Sequence, residues 1–174
     1  MQLIQTVTVG SGGAASISFT SIPQTFTDLY VLISARGASS SDFPAVGLKL
    51  NSATTNYSTR YLLGSGSSTA SGTTANTYLR IGNASGSSQT ASTFANASAY
   101  IPNYTSSTSK SISADTVSEN NATAAYQNIV AALWTGTDPI TQLDVIIDGF
   151  NLVQYSSASL YGILKGSDGI VTVS

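Results

Sequence analysis

Few side chains in this 174-residue chain can do chemistry, and their types limit what that chemistry can be. There is no histidine and no cysteine, and among the eight carboxylates Glu119 is the only glutamate. A Ser-His-Asp triad needs imidazole as its base, and a zinc site needs His or Cys ligands. A Ser-Lys dyad would have to use Lys49, Lys110 or Lys165, and their spacing offers no support for one. Asp144 and Asp148 fall on one face of a strand. At about 3.4 Å per residue they stand roughly 14 Å apart, beyond the roughly 5–9.5 Å of a glycosidase pair. A cross-strand partner is the route left open. Asp148-Gly149 and Asp168-Gly169 are turn dipeptides. Asp138, Asp148 and Asp168 lie in or beside loops, where calcium would need several converging oxygens; the plainer reading is solvated turn formers. Gly64-Ser65-Gly66 lacks the Lys and the helix of a phosphate loop. The chain therefore reads as no enzyme, with no cofactor and no metal.

Such side chains would have to be positioned by β-structure. Alternation of period two recurs along the chain. Leu29, Val31, Ile33 and Ala35 oppose Asp28, Tyr30, Ser34 and Arg36; Val46, Leu48 and Leu50 alternate with Gly47, Lys49 and Asn51. Tyr57, Thr59, Tyr61 and Leu63 oppose Ser58, Arg60 and Leu62. Leu143, Val145 and Ile147 oppose Gln142, Asp144 and Ile146, and Ile17 and Phe19 sit among Ser16, Ser18 and Thr20. Turn-forming clusters separate these runs, among them Gly10–Gly13, Gly37–Ser41, Pro102–Ser109 and Gly166–Gly169. The pattern predicts about ten to twelve strands in one all-β domain over residues 1–174, an antiparallel, jelly-roll-like β-sandwich. The stretch Gly64–Gly72 reads as a mobile, low-complexity loop. Residues 124–134 fit either a helical face (Tyr126, Ile129, Val130, Leu133) or a strand. The all-β context favours the strand, with Ile129, Ala131 and Leu133 inward and Tyr126, Asn128, Val130 and Trp134 outward.

Charged residues make up 8% of the chain, against about 25% in an ordinary domain. Net charge is −2 and the six basic residues are scattered, which argues against nucleic acid. No stretch approaches the ~18 apolar residues of a membrane span. Residues Met1–Gln5 lack the basic and apolar regions of a signal peptide. Nine tyrosines and one tryptophan remain as recognition groups. Tyr30, Tyr61, Tyr100, Tyr104, Tyr155 and Tyr161 suit sheet packing, a protein interface or a sugar site. Short Ser, Thr, Asn and Ala side chains lose little rotamer entropy when ordered at a contact. Residues Leu152–Leu164 carry no charge. As a free edge this strand would invite aggregation, so it is expected at the centre of a sheet or sealed by an identical neighbour.

Two segments resemble sequences of small virion proteins of tailed bacteriophages. One is Ile17-Ser18-Phe19-Thr20-Ser21-Ile22-Pro23-Gln24-Thr25-Phe26-Thr27-Asp28-Leu29 with Val31-Leu32-Ile33-Ser34-Ala35-Arg36. The other is Asn151-Leu152-Val153-Gln154-Tyr155-Ser156-Ser157-Ala158-Ser159-Leu160-Tyr161-Gly162-Ile163. Ala132-Leu133-Trp134 sits where such proteins carry a similar strand, and the likeness is weak over residues 51–118. These are structural motifs and transfer no functional residue. The resemblance implies a head-decoration (cement) protein or a tail or fibre component, and a compact chain opening on a strand fits decoration better. The expected protein assembles in the host cytoplasm and sits on the outer surface of the virion. Its partners would be copies of itself, a trimer favoured and a dimer open, and the major capsid protein. Trp134, Tyr155 and Tyr161 are the candidate interface residues. The alternative is a receptor-binding, carbohydrate-binding module of a tail or fibre.

Overall fold

A computed structural model describes residues 1–75, 77–121, 123 and 125–164. Lys165, Asp168 and the Gly166–Gly169 turn lie outside the described residues. The strands, in chain order, are β1 (Gln2–Thr8), β2 (Ser16–Phe19), β3 (Asp28–Ala35), β4 (Ala45–Leu50), β5 (Tyr57–Gly64) and β6 (Thr69–Thr74). They continue with β7 (Leu79–Asn83), β8 (Ala95–Ile101), β9 (Lys110–Glu119), β10 (Ala125–Trp134), β11 (Leu143–Ile147) and β12 (Ser157–Ile163). All their pairings are antiparallel.

The strands form an eight-stranded sheet, β1-β12-β3-β8-β9-β10-β5-β6, packed on a four-stranded sheet, β2-β11-β4-β7. With the hairpins β5–β6 and β9–β10 set aside, two four-stranded sheets remain, β1-β12-β3-β8 and β2-β11-β4-β7. That is the strand order of a double-sheet jelly roll. Both inserted hairpins extend the same sheet beyond β8.

Alternation explains the core. Leu29, Val31, Ile33 and Ala35 of β3 and Leu160 of β12 face Ile17, Phe19, Leu48, Leu143 and Val145 of the smaller sheet, and all are buried. Each fully buried side chain of this size contributes roughly 1.5–3 kcal/mol relative to exposure. At Gly82 on β7, φ is +146 and a Cβ would lie 2.2 Å from Thr116 Oγ1. The glycine thereby lets β7 pass close beneath β9, where Thr116 Oγ1 donates to Ile81 O at 2.6 Å.

Three details depart from the pattern reading. The Gly64–Gly72 stretch is a β-hairpin: β6 pairs with β5 from Thr59↔Thr74 to Gly64↔Thr69. The backbone ladder holds it although its Thr, Ser and Gly residues carry no apolar alternation. Residues 125–134 form a strand, with its faces reversed: Asn128, Val130, Ala132 and Trp134 point inward, and Ile129, Ala131 and Leu133 point outward. The bulky indole of Trp134 is buried on the inner side, packed beside the Tyr57 ring. Asp148 does not share a strand face with Asp144; it follows the end of β11 in a turn with Gly149, whose φ is +71. The uncharged C-terminal strand is internal, since β12 lies between β1 and β3.

Candidate functional site

The residues that alternate away from the core along the larger sheet make one broad face. Its pairings define two rows across the strands. The first runs Leu3, Tyr161, Tyr30, Tyr100, Ser113, Ala131, Arg60, Thr73. The second runs Thr6, Ser159, Leu32, Ser98, Asp115, Ile129, Leu62, Ser71. Directly opposite side chains on neighbouring strands touch, so Tyr161, Tyr30 and Tyr100 form a contiguous aromatic row on β12, β3 and β8. All three are half-buried.

The row is held at one end by a carboxylate. The Tyr100 hydroxyl donates to Asp28 Oδ2 at 2.9 Å, and Asn103 N–H donates to Asp28 Oδ1 at 2.8 Å. Loss of solvent around the Tyr100 phenol raises its pKa first, and the hydrogen bond to Asp28 and the charge of Asp28 push it the same way. The second row is tied by hydroxyls: Thr6 Oγ1 and Ser159 Oγ lie 2.8 Å apart, and Ser98 Oγ donates to Asp115 Oδ1 at 2.6 Å.

The other half of the face is aliphatic. Ile129 on β10 stands opposite Leu62 on β5; they are 58% and 60% exposed, and Leu133 is 37% exposed. Shallow depressions flank the pair, one lined by Leu63, Thr69, Ala70 and Gln127, the other by Arg60, Ser71, Thr73 and Ala131. The uninterrupted apolar run Ile129–Trp134 was the available signal, because successive strand residues point to opposite faces and the run therefore puts apolar groups on both.

The candidate aromatics separate. Tyr161 joins the row. Tyr155 is 68% exposed and stands apart in a turn at φ +71, its N–H donating to Val9 O at 3.0 Å. Trp134 is 3% exposed and belongs to the core, against the earlier expectation of an interface residue. Its ring centroid lies 6.4 Å from that of Tyr57, and Lys110 Nζ lies 5.8 Å from it. Lys110 is itself buried and donates to Ser106 O and Thr108 O at 2.8 and 2.5 Å; desolvation lowers its pKa, offset in part by Asp138. Tyr104 is fully buried, and its hydroxyl donates to Pro23 O. Tyr61 faces inward on β5, under the guanidinium of Arg80 at 4.9 Å.

One further charge is internal. The Arg36 guanidinium donates to the carbonyls of Ser87, Gln89, Thr90 and Thr93 and to Thr93 Oγ1, at 2.6–3.3 Å. It pins the loop between β7 and β8. The described residues contain no cluster of three or more potential metal ligands. Phenol rings, aliphatic groups and short hydroxyls on a broad sheet equip this face for contact with another surface. Comparison with protein-family models, curated proteins and solved structures finds no match.

Proposed function

We propose that this chain is a structural subunit of a tailed-phage virion, a decoration protein that binds the outside of the capsid as a homo-oligomer and reinforces the shell. The observation that carries this reading is the outer face of the eight-stranded sheet. It is broad, its side chains are mostly short and uncharged, and it presents the row Tyr161, Tyr30 and Tyr100. The likeness of both chain ends to small virion proteins supports the same reading. Rigid aromatics and short hydroxyls lose little entropy on docking. The tyrosine row is the part assigned to the major capsid protein. An oligomer whose copies each grip the shell would gain by multivalency, so that rupture requires several contacts to open together.

The test is a binding assay on intact particles, with the bound protein located by electron microscopy. Saturable binding on the outer capsid is expected, weakened at least about tenfold when Tyr30 and Tyr161 are both changed to Ala. Failure to bind particles would overturn the reading. The tyrosine row also favours a second reading, a carbohydrate-binding module of a tail or fibre, because aromatic faces stack on sugar rings. Saturable binding on a glycan array, with no binding to capsids, would put that reading in place of the first.

A further inference from the structure

We infer that the aliphatic half of the same face is a two-fold contact with a second copy of this chain, centred on Leu62 and Ile129. The inference rests on the homo-oligomer in the reading above and names its contact. Two independent observations carry it.

The first is β10. Its inner side holds Asn128, only 1% exposed, whose amide N and O both lack a hydrogen-bond partner among the described residues. Its outer side holds Ile129, Ala131 and Leu133. A strand with Ile129, Ala131 and Leu133 on its solvent side is not arranged for a water-facing role. Its continuous apolar run is that of a strand covered on both sides, and the fold covers only one.

The second is charge. Arg60 is exposed, two residues along β5 from Leu62, and has no hydrogen bond or ion pair among the described residues. Asp115 lies in the Ile129 row, one strand further on β9. With about 4.8 Å between strands and about 3.4 Å per residue, both charges stand about 7 Å from the midpoint of the Leu62–Ile129 pair. Two opposite charges equidistant from an apolar centre are self-complementary. A two-fold axis lying in the face and bisecting their directions sets Arg60 of each copy over Asp115 of the other, with the aliphatic pairs between them. That is an isologous contact, in which each residue meets its counterpart twice. The same axis crosses the strands of the two copies steeply, near the orthogonal class of sheet packing.

The experiment is sedimentation equilibrium of the full chain and its variants, with circular dichroism to confirm folding. A dimer is expected. Ile129→Asp should weaken self-association at least about tenfold, as should Arg60→Asp and Asp115→Arg singly, by placing like charges face to face. The double variant Arg60→Asp/Asp115→Arg should recover most of the wild-type affinity. A monomer, a trimer unaffected by these changes, or a double variant no better than the single ones would overturn the two-fold contact. Particle binding reports separately. A wild-type dimer that ignores capsids leaves the contact standing and removes the capsid reading, whereas a trimer that binds capsids does the reverse.

Discussion

β3 and β10 lie in one sheet, with β8 and β9 between them, and divide their side chains differently. β3 sends Leu29, Val31, Ile33 and Ala35 into the core, and its outer side mixes Tyr30, Leu32 and Ser34. β10 buries Asn128 with Val130, Ala132 and Trp134, and exposes Ile129, Ala131 and Leu133. β3 belongs to the jelly roll proper and β10 to an inserted hairpin. Both strands have a buried inner side; the outer side of β3 breaks its apolar groups, Tyr30 and the 42%-exposed Leu32, with Ser34, whereas that of β10 is aliphatic from Ile129 to Leu133. The outer side of β10 is the surface proposed above to meet a second copy.

The sharpest way to break this contrast is to truncate β10 on each side. Trp134→Ala should lower unfolding free energy by about 3–5 kcal/mol. Leu133→Ala, its neighbour on the other face, should change the isolated subunit by no more than about 0.5 kcal/mol; equal losses in urea denaturation would show that both faces are core. Next in size is Arg36→Met, just beyond β3. It strands the buried carbonyls that Arg36 satisfies and should cost at least about 2 kcal/mol, with faster hydrogen exchange confined first to residues 87–93. Asn128→Leu has the opposite sign. Replacing an unpaired buried amide by an apolar side chain should stabilise by about 1 kcal/mol, read as a higher denaturation midpoint.

The smallest effect is on pH dependence. Melting temperature should stay level from about pH 6 to 9, where few groups change charge. Burial raises the pKa values of Tyr57, Tyr100 and Tyr104 above the usual 10.0. The unfolded chain therefore releases these phenolic protons first, and stability is lost as pH rises above about 10. Lys110 works the other way: its pKa is lowered in the fold, so the unfolded chain holds the extra proton, and stability rises with pH until about 10.5. The tyrosine loss is read cleanly above that point, and Tyr100→Phe should make it shallower.

Much of the architecture was legible in the residues. The alternation at Leu29–Ala35 and Leu143–Ile147 names both strand and buried face, because one side is uniformly apolar. β6 was not legible, since Thr69–Thr74 has no apolar side and is strand only through its ladder with β5. The orientation of β10 failed for the converse reason. Large apolar residues occupy both sides, and alternation does not decide between them. The tyrosine row was hidden at a deeper level. Tyr30, Tyr100 and Tyr161 lie far apart in sequence and meet only through the register of three strands. Composition listed them as candidates but could not group them, and it gave Trp134 an interface role that its burial removes.

The partners of Arg36 have a consequence for acid conditions. An internal cation is commonly matched by an aspartate or glutamate, and such a latch opens once the acid group takes up a proton. Here every acceptor is a carbonyl or a hydroxyl, and none of them titrates in water at any ordinary pH. The Arg36 contacts to the loop between β7 and β8 should therefore persist in acid strong enough to neutralise every carboxylate on the molecule, leaving the hydrogen bond from Ser88 Oγ to Asp42 Oδ1 as the tie that acid weakens.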